Sequence, residues 1–345
     1  MIFETFFLNG KEVSGNALFH SNPKTKLEEE LFAFLREWYS PVDFIEVQTS
    51  GSTGIPKKIT LKKKFIEASA LRTLKYFKLN SRDRVLHCLP CKYIAGKLMI
   101  IRALIGHLDL YMVDPSTDFD FLREAGKFRF AAMVPNQVAS IPNELLPQIE
   151  QLLIGGGSIP PSLQKRLENA PTKIYSSYAM TETATHIAIC SLNGEYADGW
   201  YHCLENIRVS LSSGNCLRIE MPGLKEPFLQ TNDIAELNDN KTFRILGRAD
   251  HVIISGGAKY HPEQLEKKLE QYISLPFMIA ALPHDKLGEQ IVIVLEGESA
   301  DKEQIIEICS TCLSHYEQPR EIIFTERLPR TSNGKLKRKY PYSTL

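Results

Sequence analysis

The segment TSGSTGIPKK at residues 49–58 combines hydroxyl side chains, glycines and lysines in one short stretch. It is too polar for a core and too rich in glycine for a helix, so it predicts a loop. An apolar segment, FIEVQ at 44–48, precedes it and predicts a strand. Glycines let backbone N–H groups approach phosphate oxygens, hydroxyls add donors, and lysine adds positive charge. The segment therefore indicates a phosphate-binding loop, with a plain surface turn as the alternative.

Two common nucleotide-binding signatures do not fit this sequence. In a Walker A loop counted from Gly51, Pro56 stands where the second glycine belongs, and Lys57 is followed by Lys58 instead of Ser or Thr. The run GGGSIP at 155–160 fails the G-x-G-x-x-G pattern because it ends in Pro160. A P-loop NTPase is therefore the weakest alternative.

The loop pattern T/S-S-G-S/T-T-G-x-P-K resembles the phosphate-loop signature of the adenylate-forming superfamily, which includes acyl-CoA synthetases, luciferases and peptide-synthetase adenylation domains. Five more segments resemble that family's motifs in the family's order: IGGGSIPPSL at 154–163, YAMTET at 178–183, TND at 231–233, GRADHVIISGGAKYHPEQLE at 247–266 and PRTSNGKLKR at 329–338. Ala179 and Asn232 stand where the family usually has glycine. On this ordered set the chain is identified as a member of that superfamily.

The resemblance implies an enzyme that uses ATP and Mg²⁺ to convert a carboxylic acid into an acyl-adenylate, and then transfers the acyl group to CoA. For the pyrophosphate end of ATP it implies Ser50, Gly51, Ser52, Thr53, Gly54 and Lys57. Around the adenine it implies Gly156, Gly157 and Tyr178, and at the ribose it implies Asp233 and Arg248.

The resemblance also implies the catalytic groups. Thr181 and Glu182 would meet the α-phosphate and the metal ion, since a carboxylate is the hard oxygen ligand that magnesium prefers. Lys335 would be the catalytic cation at the forming bond. The alternative for Lys335 is a solvated basic tail, because it stands in a run of lysines and arginines. Asp250 would be the hinge about which a small domain rotates between the two half-reactions.

The sequence defines the carboxylic acid substrate less closely than it defines the reaction. LPCKYIAG at 89–96 resembles the L-P-x-x-H-x-x-G segment of bacterial acyl-CoA ligases, with Tyr93 in place of histidine, so Tyr93 is a candidate for the acid pocket or a core aromatic. SYAMTETATHIA at 177–188 resembles o-succinylbenzoate–CoA ligases of menaquinone biosynthesis. That substrate has a second carboxylate, for which His186, Lys92 or Lys97 is the candidate partner. The alternatives are another aryl or fatty acid, a carrier-protein acceptor, or a trimmed, non-catalytic nucleotide-binding module.

The elements that position these motifs predict an α/β protein. Thr25 and Glu28 predict a capping box before a helix over 26–38, and strands then alternate with helices to about residue 179, which favours a parallel sheet. We expect a large N-terminal domain, 1–247, with mixed or parallel sheets flanked by helices and a hairpin-rich subdomain. A small α+β C-terminal domain, 248–345, would follow on the hinge. Only 48 residues precede the phosphate loop, so we expect a compact version of the large domain.

Composition excludes several classes. The chain has 41 basic and 41 acidic residues and no long uncharged apolar run, so we expect no nucleic-acid or membrane partner. No signal peptide is evident, and a cytoplasmic location is the expectation. Two C-x-x-C pairs, Cys88/Cys91 and Cys309/Cys312, could form a zinc site, but apolar surroundings favour buried thiols. The oligomeric state stays open.

Overall fold

A computed structural model describes residues 5–18, 20–48, 58–297, 302–330, 336 and 338. Its chain divides into two compact units. The first contains Met1–Ile159, Leu163–Ile207 and Met221–Lys225, and the second contains Pro160–Ser162, Arg208–Glu220 and Glu226–Leu345. The boundary predicted at 247/248 stays a prediction, because it concerns which parts rotate together.

The elements up to residue 203 alternate between strands and helices. The strands are β1 (Thr5–Leu8), β2 (Lys11–Ser14), β3 (Phe44–Gln48), β4 (Lys58–Lys62), β5 (Arg84–His87), β6 (Asp109–Met112), β7 (Phe128–Met133), β8 (Ile149–Ile154), β9 (Lys173–Ala179), β10 (His186–Ser191) and β11 (Tyr201–Cys203). The helices are α1 (Gly15–Leu18), α2 (Lys26–Tyr39), α3 (Lys63–Phe77), α4 (Ile94–Gly106), α5 (Leu122–Ala125), α6 (Pro135–Ser140) and α7 (Pro161–Leu167), with 3₁₀ turns at Asn143–Gln148 and Thr181–Thr183.

The main sheet of the first unit has the strand order β11-β10-β9-β8-β7-β5-β6-β1-β2. Its centre, from β6 through β5, β7 and β8 to β9, is parallel, whereas β10 pairs antiparallel with β9. The predicted parallel sheet is confirmed. Connections through helices bring the carboxyl ends of these strands to one edge, where α/β proteins commonly bind ligands.

Helix α4 is the most buried helix of this unit, since all residues from Gly96 to Ile105 are buried. That stretch includes Lys97 and Arg102, so two charged side chains lie in an apolar interior. Helix α2 also forms as predicted, and the Glu28 N–H donates to Thr25 Oγ1 at 3.2 Å. The second half of the predicted capping box is wrong, because the Glu28 carboxylate accepts from the N–H of Lys24 instead of that of Thr25.

Strands β3 and β4 form a separate antiparallel pair, and its last register pair is Gln48 with Lys58. The predicted strand at 44–48 is confirmed, but its partner β4 was not predicted. The pairing places Gln48 opposite Lys58, the two residues that flank segment 49–57. The loop itself lies outside the described residues.

The second unit contains two sets of strands. The first set is an antiparallel meander of β12 (Arg208–Leu211), β13 (Cys216–Glu220), β14 (Leu229–Leu237) and β15 (Thr242–Arg248), as the sequence predicts. The second set, after the 3₁₀ turn at Ala249–His251, comprises β16 (Ile253–Ser255), β17 (Ala258–Tyr260), β18 (Phe277–His284), β19 (Gly288–Glu296) and β20 (Glu321–Thr325), with helices α8 (Pro262–Leu269) and α9 (Lys302–Cys312). The two helices and the sheet share one hydrophobic core.

Cys88, Cys91 and Cys309 are buried thiols, as predicted, and Cys312 is partly buried. Within the described part of the chain, no three His, Cys, Asp or Glu side chains group closely enough to hold a metal ion by themselves. None of the helices in the described ranges has the length and apolarity needed to cross a bilayer.

Candidate active site

The glycine-rich turn and the Thr-Glu turn lie at the same edge of the main sheet. Strands β8 and β9 are parallel neighbours, and Ile154 and Ala179 are their carboxyl-terminal residues. Gly155–Gly157 follows the first strand, and the Thr181–Thr183 turn follows the second shortly after its end. Two motifs that are far apart in sequence are therefore brought together by the strand pairing.

Gly155 permits a close contact between the two strands. A Cβ at this position would lie 2.5 Å from Ser177 Oγ, and that hydroxyl donates to the Ile154 carbonyl at 3.1 Å. The next residue, Gly156, has a φ of +82°, a conformation that side-chain-bearing residues rarely adopt. Gly156 and Gly157 are exposed, so their backbone faces are accessible to a ligand. Sequence reasoning missed Gly155, although it is the first glycine of the same run.

The adenine candidate Tyr178 is half-buried near the end of β9. Its ring meets that of Tyr201 edge to face at a centroid distance of 6.0 Å. The hydroxyl of Tyr201 is held in turn 2.9 Å from Ser176 Oγ. Aromatic and hydrogen-bond contacts thus fix the wall beside the glycine turn.

The turn that carries Thr181 and Glu182 is anchored from inside. Thr183 is fully buried; its Oγ1 accepts from the Met180 N–H at 3.2 Å and lies 2.7 Å from the carbonyl oxygen of Thr185. By contrast, the Thr181 hydroxyl and the Glu182 carboxylate are half-buried and bond to no described residue. Two oxygen donors that have no partner among the described residues fit a Mg²⁺ ion, which keeps waters and takes its remaining ligands from substrate phosphates.

A cation lies buried close to this turn. Arg102 of α4 is 2% exposed, and its hydrogen bonds to described residues go to Met99 Sδ at 3.3 Å and Thr185 Oγ1 at 3.1 Å. Its Nε has no hydrogen-bond partner in the described part of the chain, and burial lowers the pKa of the guanidinium to about 9, so it is still charged at neutral pH. A buried charge without a counter-ion is unfavourable. Among the described residues, no acidic side chain balances the charge of Arg102.

His186 lies next to Arg102 and is 3% exposed. Its Nε2 is 3.2 Å from Thr73 Oγ1, and its Nδ1 is 3.2 Å from Thr185 Oγ1. Burial, followed by the positive charges of Arg102 and Arg72, holds the pKa of His186 well below its ordinary value. The ring is therefore neutral, with both nitrogens engaged.

Arg72 of α3 is a second cation in this region. It is partly buried, and within the described ranges it forms no ion pair and its Nε has no hydrogen-bond partner. Burial also lowers the pKa of Arg72. Sequence reasoning missed both arginines. An arginine inside the apolar run LMIIRALI was the available signal for Arg102.

The remaining acid-pocket candidates are spread around the start of α4. Tyr93 occupies the N-cap position, and Lys92 is exposed with its Nζ 5.0 Å from the Tyr93 ring centroid. Lys97 is buried and pairs with Glu37, so it already has a counter-ion. The roles of these residues in acid binding remain predictions.

In the second unit, the predicted ribose and hinge residues form one cluster. Arg248 Nη1 donates to Asp233 at 3.0 Å, and its Nε and Nη2 donate to the two carboxylate oxygens of Asp250 at 2.9 and 3.1 Å. Asp233 and Arg248 are brought together by β14 and β15, in which they are direct register partners.

Seven predicted site residues lie outside the described residues: Ser50, Gly51, Ser52, Thr53, Gly54, Lys57 and Lys335. Their roles remain predictions.

Comparison with known proteins identifies the class. Residues 47–207 match the family model of the AMP-binding enzymes, and residues 278–335 match that of the AMP-binding enzyme C-terminal domain. This chain belongs to that family of adenylate-forming enzymes.

Among individual proteins, this chain is similar to CoA ligases and acyl-CoA synthetases. The 2-succinylbenzoate–CoA ligase of Listeria monocytogenes is 24% identical over 317 residues, which cover 84% of this chain and 68% of the relative. The structure of an acyl-CoA synthetase (AMP-forming)/AMP-acid ligase II-like protein from Dyadobacter fermentans has a TM-score of 0.63 and 29% identity, and the match covers 96% of this chain and 98% of that one. The o-succinylbenzoate CoA synthetase from Bacillus subtilis, in complex with its acyl-adenylate intermediate, has a TM-score of 0.76 at 21% identity, with 86% and 68% coverage.

Proposed function

We propose that this protein is an AMP-forming acid–CoA ligase that converts 2-succinylbenzoate into its CoA thioester in menaquinone biosynthesis, in the cytoplasm. Family membership and the curated relatives that bear this name support the reaction. The observation that carries the choice of substrate is Arg102, a buried cation that has no acidic partner among the described residues.

The first half-reaction makes a mixed anhydride. A carboxylate oxygen of the acid attacks the α-phosphorus of ATP, the bond from that phosphorus to the oxygen bridging to the β-phosphate breaks, and pyrophosphate leaves with that oxygen. Negative charge accumulates on the phosphates, so positioned donors and cations accelerate this step more than acid–base groups do. The loop 49–57 would hold the pyrophosphate end, and Lys335 would neutralise charge at the forming bond.

The described residues would provide the rest of the nucleotide site. The exposed backbone of Gly156 and Gly157 and the ring of Tyr178 would frame the adenine. The side-chain oxygens of Thr181 and Glu182 would hold Mg²⁺, which neutralises phosphate charge when bound. Asp233 would accept hydrogen bonds from the ribose hydroxyls.

The second half-reaction consumes the adenylate. The sulfur of CoA attacks the acyl carbon, the bond from that carbon to the AMP oxygen breaks, and the thiol proton passes to a solvent base. AMP and the thioester are the products. Because CoA and Lys335 would occupy the reacting centre in turn, rotation about Asp250 would separate the two steps.

The second carboxylate of 2-succinylbenzoate requires a charged partner. Arg102 is the best candidate, because an anion would relieve its buried positive charge. Its contact with Thr185 links it to the turn that carries Glu182, so the carboxylate would sit within the same unit as the reacting centre. His186 would position Thr185 and would not supply charge, since its ring is neutral.

Mass spectrometry of the products tests the proposal. The protein would be incubated with ATP, Mg²⁺ and CoA together with 2-succinylbenzoate, 4-oxo-4-phenylbutanoate, 2-propanoylbenzoate, benzoate or octanoate. We expect AMP and thioester in equal amounts from 2-succinylbenzoate, and acyl-adenylate with pyrophosphate when CoA is omitted.

Each other result would change a different part of the proposal. A preference for octanoate or benzoate would overturn the substrate and leave the reaction class intact. Adenylate without thioester would replace CoA by another acceptor. If no acid supported AMP formation, the protein would be a nucleotide-binding module and the proposed activity would be refuted.

A further inference from the structure

A buried ion pair anchors the chain just after the predicted catalytic lysine. Arg338 Nη2 donates to Glu266 Oε2 at 2.6 Å, and Nη1 donates to the other oxygen of the same carboxylate. Nη1 also donates to the Ile279 carbonyl at 3.1 Å. Both side chains of the pair are 11% exposed. The guanidinium is therefore fixed by a bidentate pair and a backbone contact, which together define its orientation.

A second fixed point lies just before this pair. Leu336 forms an isolated antiparallel bridge with Arg330, and its side chain packs against a small core cluster of the same unit, formed by Met278, Ala280, Val292, Val294 and Leu328. The Leu328 N–H in turn donates to Glu296 at 3.1 Å. The chain is thus held on both sides of residues 331–335, the segment that ends in Lys335.

We propose that Arg338 is a positioning residue for Lys335, and that its pair with Glu266 sets the register of the segment that delivers the lysine. This inference rests on the proposed function. Lys335 is three residues before Arg338, so the Cα atoms of the two residues are at most about 10 Å apart even in a fully extended chain. A slip of one residue in this segment would move the lysine by about 3 Å, enough to remove it from a forming bond.

The chemistry of the pair favours register over general stability. A buried ion pair recovers its desolvation cost only with good geometry, and apolar residues often replace such pairs without loss of stability. A planar fork that meets one carboxylate from one direction, however, specifies a single alignment of the chain. The pair joins the tail to α8, two segments separated by about 70 residues, so it defines where the tail lies on the unit.

The Arg338–Glu266 pair, called the anchor below, is also connected to the predicted hinge region through the carboxylate of Glu263. Arg338 Nε lies 3.5 Å from Glu263 Oε1, and the same oxygen is 2.6 Å from His251 Nδ1, in the residue that follows Asp250. All these groups belong to the second unit, so the anchor would move with that unit during rotation. It would keep Lys335 in register in every orientation.

The test measures the two half-reactions separately in Arg338→Met, Arg338→Lys, Glu266→Gln and the Arg338→Met/Glu266→Gln double variant. In Arg338→Met and in Glu266→Gln, we expect acid-dependent ATP–pyrophosphate exchange to be about 30-fold slower than in the wild type. The KM for ATP should change less than about threefold. Thioester formation from supplied acyl-adenylate and CoA should change less than about threefold, because Lys335 is not used in that step. Arg338→Lys should recover part of the exchange rate, since it keeps the charge but not the fork.

Lys268→Met is the matched control, because Lys268 forms a bidentate pair with Glu317 on the surface of the same unit, at 2.7 and 2.9 Å. It should leave both half-reactions unchanged. The double variant should be no slower than the slower single variant if the two residues act as one unit. Equal losses in both half-reactions, or additive losses in the double variant, would assign the pair to folding and refute the inference. Failure of the wild-type protein to adenylate any acid would refute the proposed function instead.

Discussion

Arg248 binds Asp250 through two parallel hydrogen bonds, of 2.9 and 3.1 Å, and uses its remaining nitrogen to bind Asp233. The predicted hinge residue and the predicted ribose residue therefore share one guanidinium. Partial burial acts to raise the pKa of Asp250, but the hydrogen bonds and charge of Arg248 outweigh it and leave that pKa below its ordinary value. The predicted ribose contact at Asp233 and the predicted hinge at Asp250 would thereby be connected through a single side chain.

Replacing this guanidinium by an ammonium group should weaken that connection. In Arg248→Lys, the charge stays but a point donor cannot contact both carboxylates in the same geometry. We expect the KM for ATP in the adenylation step to rise about tenfold, which corresponds to about 1.4 kcal/mol. Arg244→Lys is the control, because Arg244 pairs with Glu236 on the exposed face of the same two strands. Equal effects of the two substitutions would show that only sheet stability had changed.

Lys335 is the residue whose removal most directly tests the chemistry. Lys335→Ala should reduce acid-dependent ATP–pyrophosphate exchange by about 100-fold or more, because a charge that stabilises the transition state is lost. The affinity for ATP, measured by calorimetry, should change little. Lys337→Ala removes a charge from the same basic run and should leave exchange intact. Undiminished exchange in Lys335→Ala would refute the catalytic role of Lys335.

Arg102 should determine whether a second carboxylate is recognised. In Arg102→Met, we expect kcat/KM for 2-succinylbenzoate to fall at least about 100-fold, since a desolvated carboxylate would lose its partner. The analogues 4-oxo-4-phenylbutanoate and 2-propanoylbenzoate each lack one of the two carboxylates. For the analogue that the wild-type enzyme still converts, kcat/KM should fall much less in Arg102→Met. His186→Gln keeps a hydrogen-bonding side chain and should cost less than Arg102→Met. A uniform loss across all acids would mean that Arg102 supports the fold and not the substrate.

The sequence predicted most elements that position the site, because their signals are local. The parallel sheet, the helix at 26–38 and the hairpins of the second unit all follow from periodicity and turn residues over short stretches. Motifs at strand ends could likewise be placed at one sheet edge. The partner strand β4 was not predicted, because its sequence KITLK follows the lysines of the loop and continues directly into α3.

The identity of the buried cation could not be predicted in the same way. Arg102 lies more than 80 residues before Thr185, and only the packing of α4 beneath the sheet edge brings the two side chains within 3.1 Å. Sequence reasoning chose His186 because it follows the Thr-Glu motif directly. The structure instead shows both ring nitrogens of His186 bonded to threonines, a consequence of tertiary contacts that no local pattern encodes.

A buried histidine should make stability depend on pH. His87 is fully buried, its Nδ1 has no hydrogen-bond partner among the residues that the structure describes, and burial lowers its pKa from 6.5 to about 4. The unfolded chain binds this proton more tightly than the folded chain. Stability is therefore complete above pH 6.5 and is lost as the pH falls from 6.5 to 4, by up to about 3 kcal/mol for this one group.

Urea unfolding at a series of pH values measures this effect. Between pH 4 and 6.5, the unfolding free energy of His87→Gln should depend less steeply on pH than that of the wild type. The difference in slope should be about 1.4 kcal/mol per pH unit, the value for one proton. His186 contributes in the same direction, because its pKa is also lowered. His315→Gln, at an exposed position, is the control variant. A slope in His87→Gln equal to that of the wild type would rule out this titration.

Gly155 offers a test of how the two nucleotide turns are held together. In Gly155→Ala the new Cβ would lie 2.5 Å from Ser177 Oγ, so β8 and β9 must separate or the hydroxyl must leave the Ile154 carbonyl. Either change would alter the turn that is predicted to lie beside the adenine, and we expect the Kd for ATP to rise about tenfold. In Gly155→Ala/Ser177→Ala the nearest remaining atom, Ser177 Cβ, is 3.9 Å away, an ordinary contact, so binding should recover most of the loss. Gly156→Ala is strained by its φ of +82° and should not be rescued by Ser177→Ala. If Ser177→Ala rescued both or neither, the contact across the two strands would not be what shapes the site.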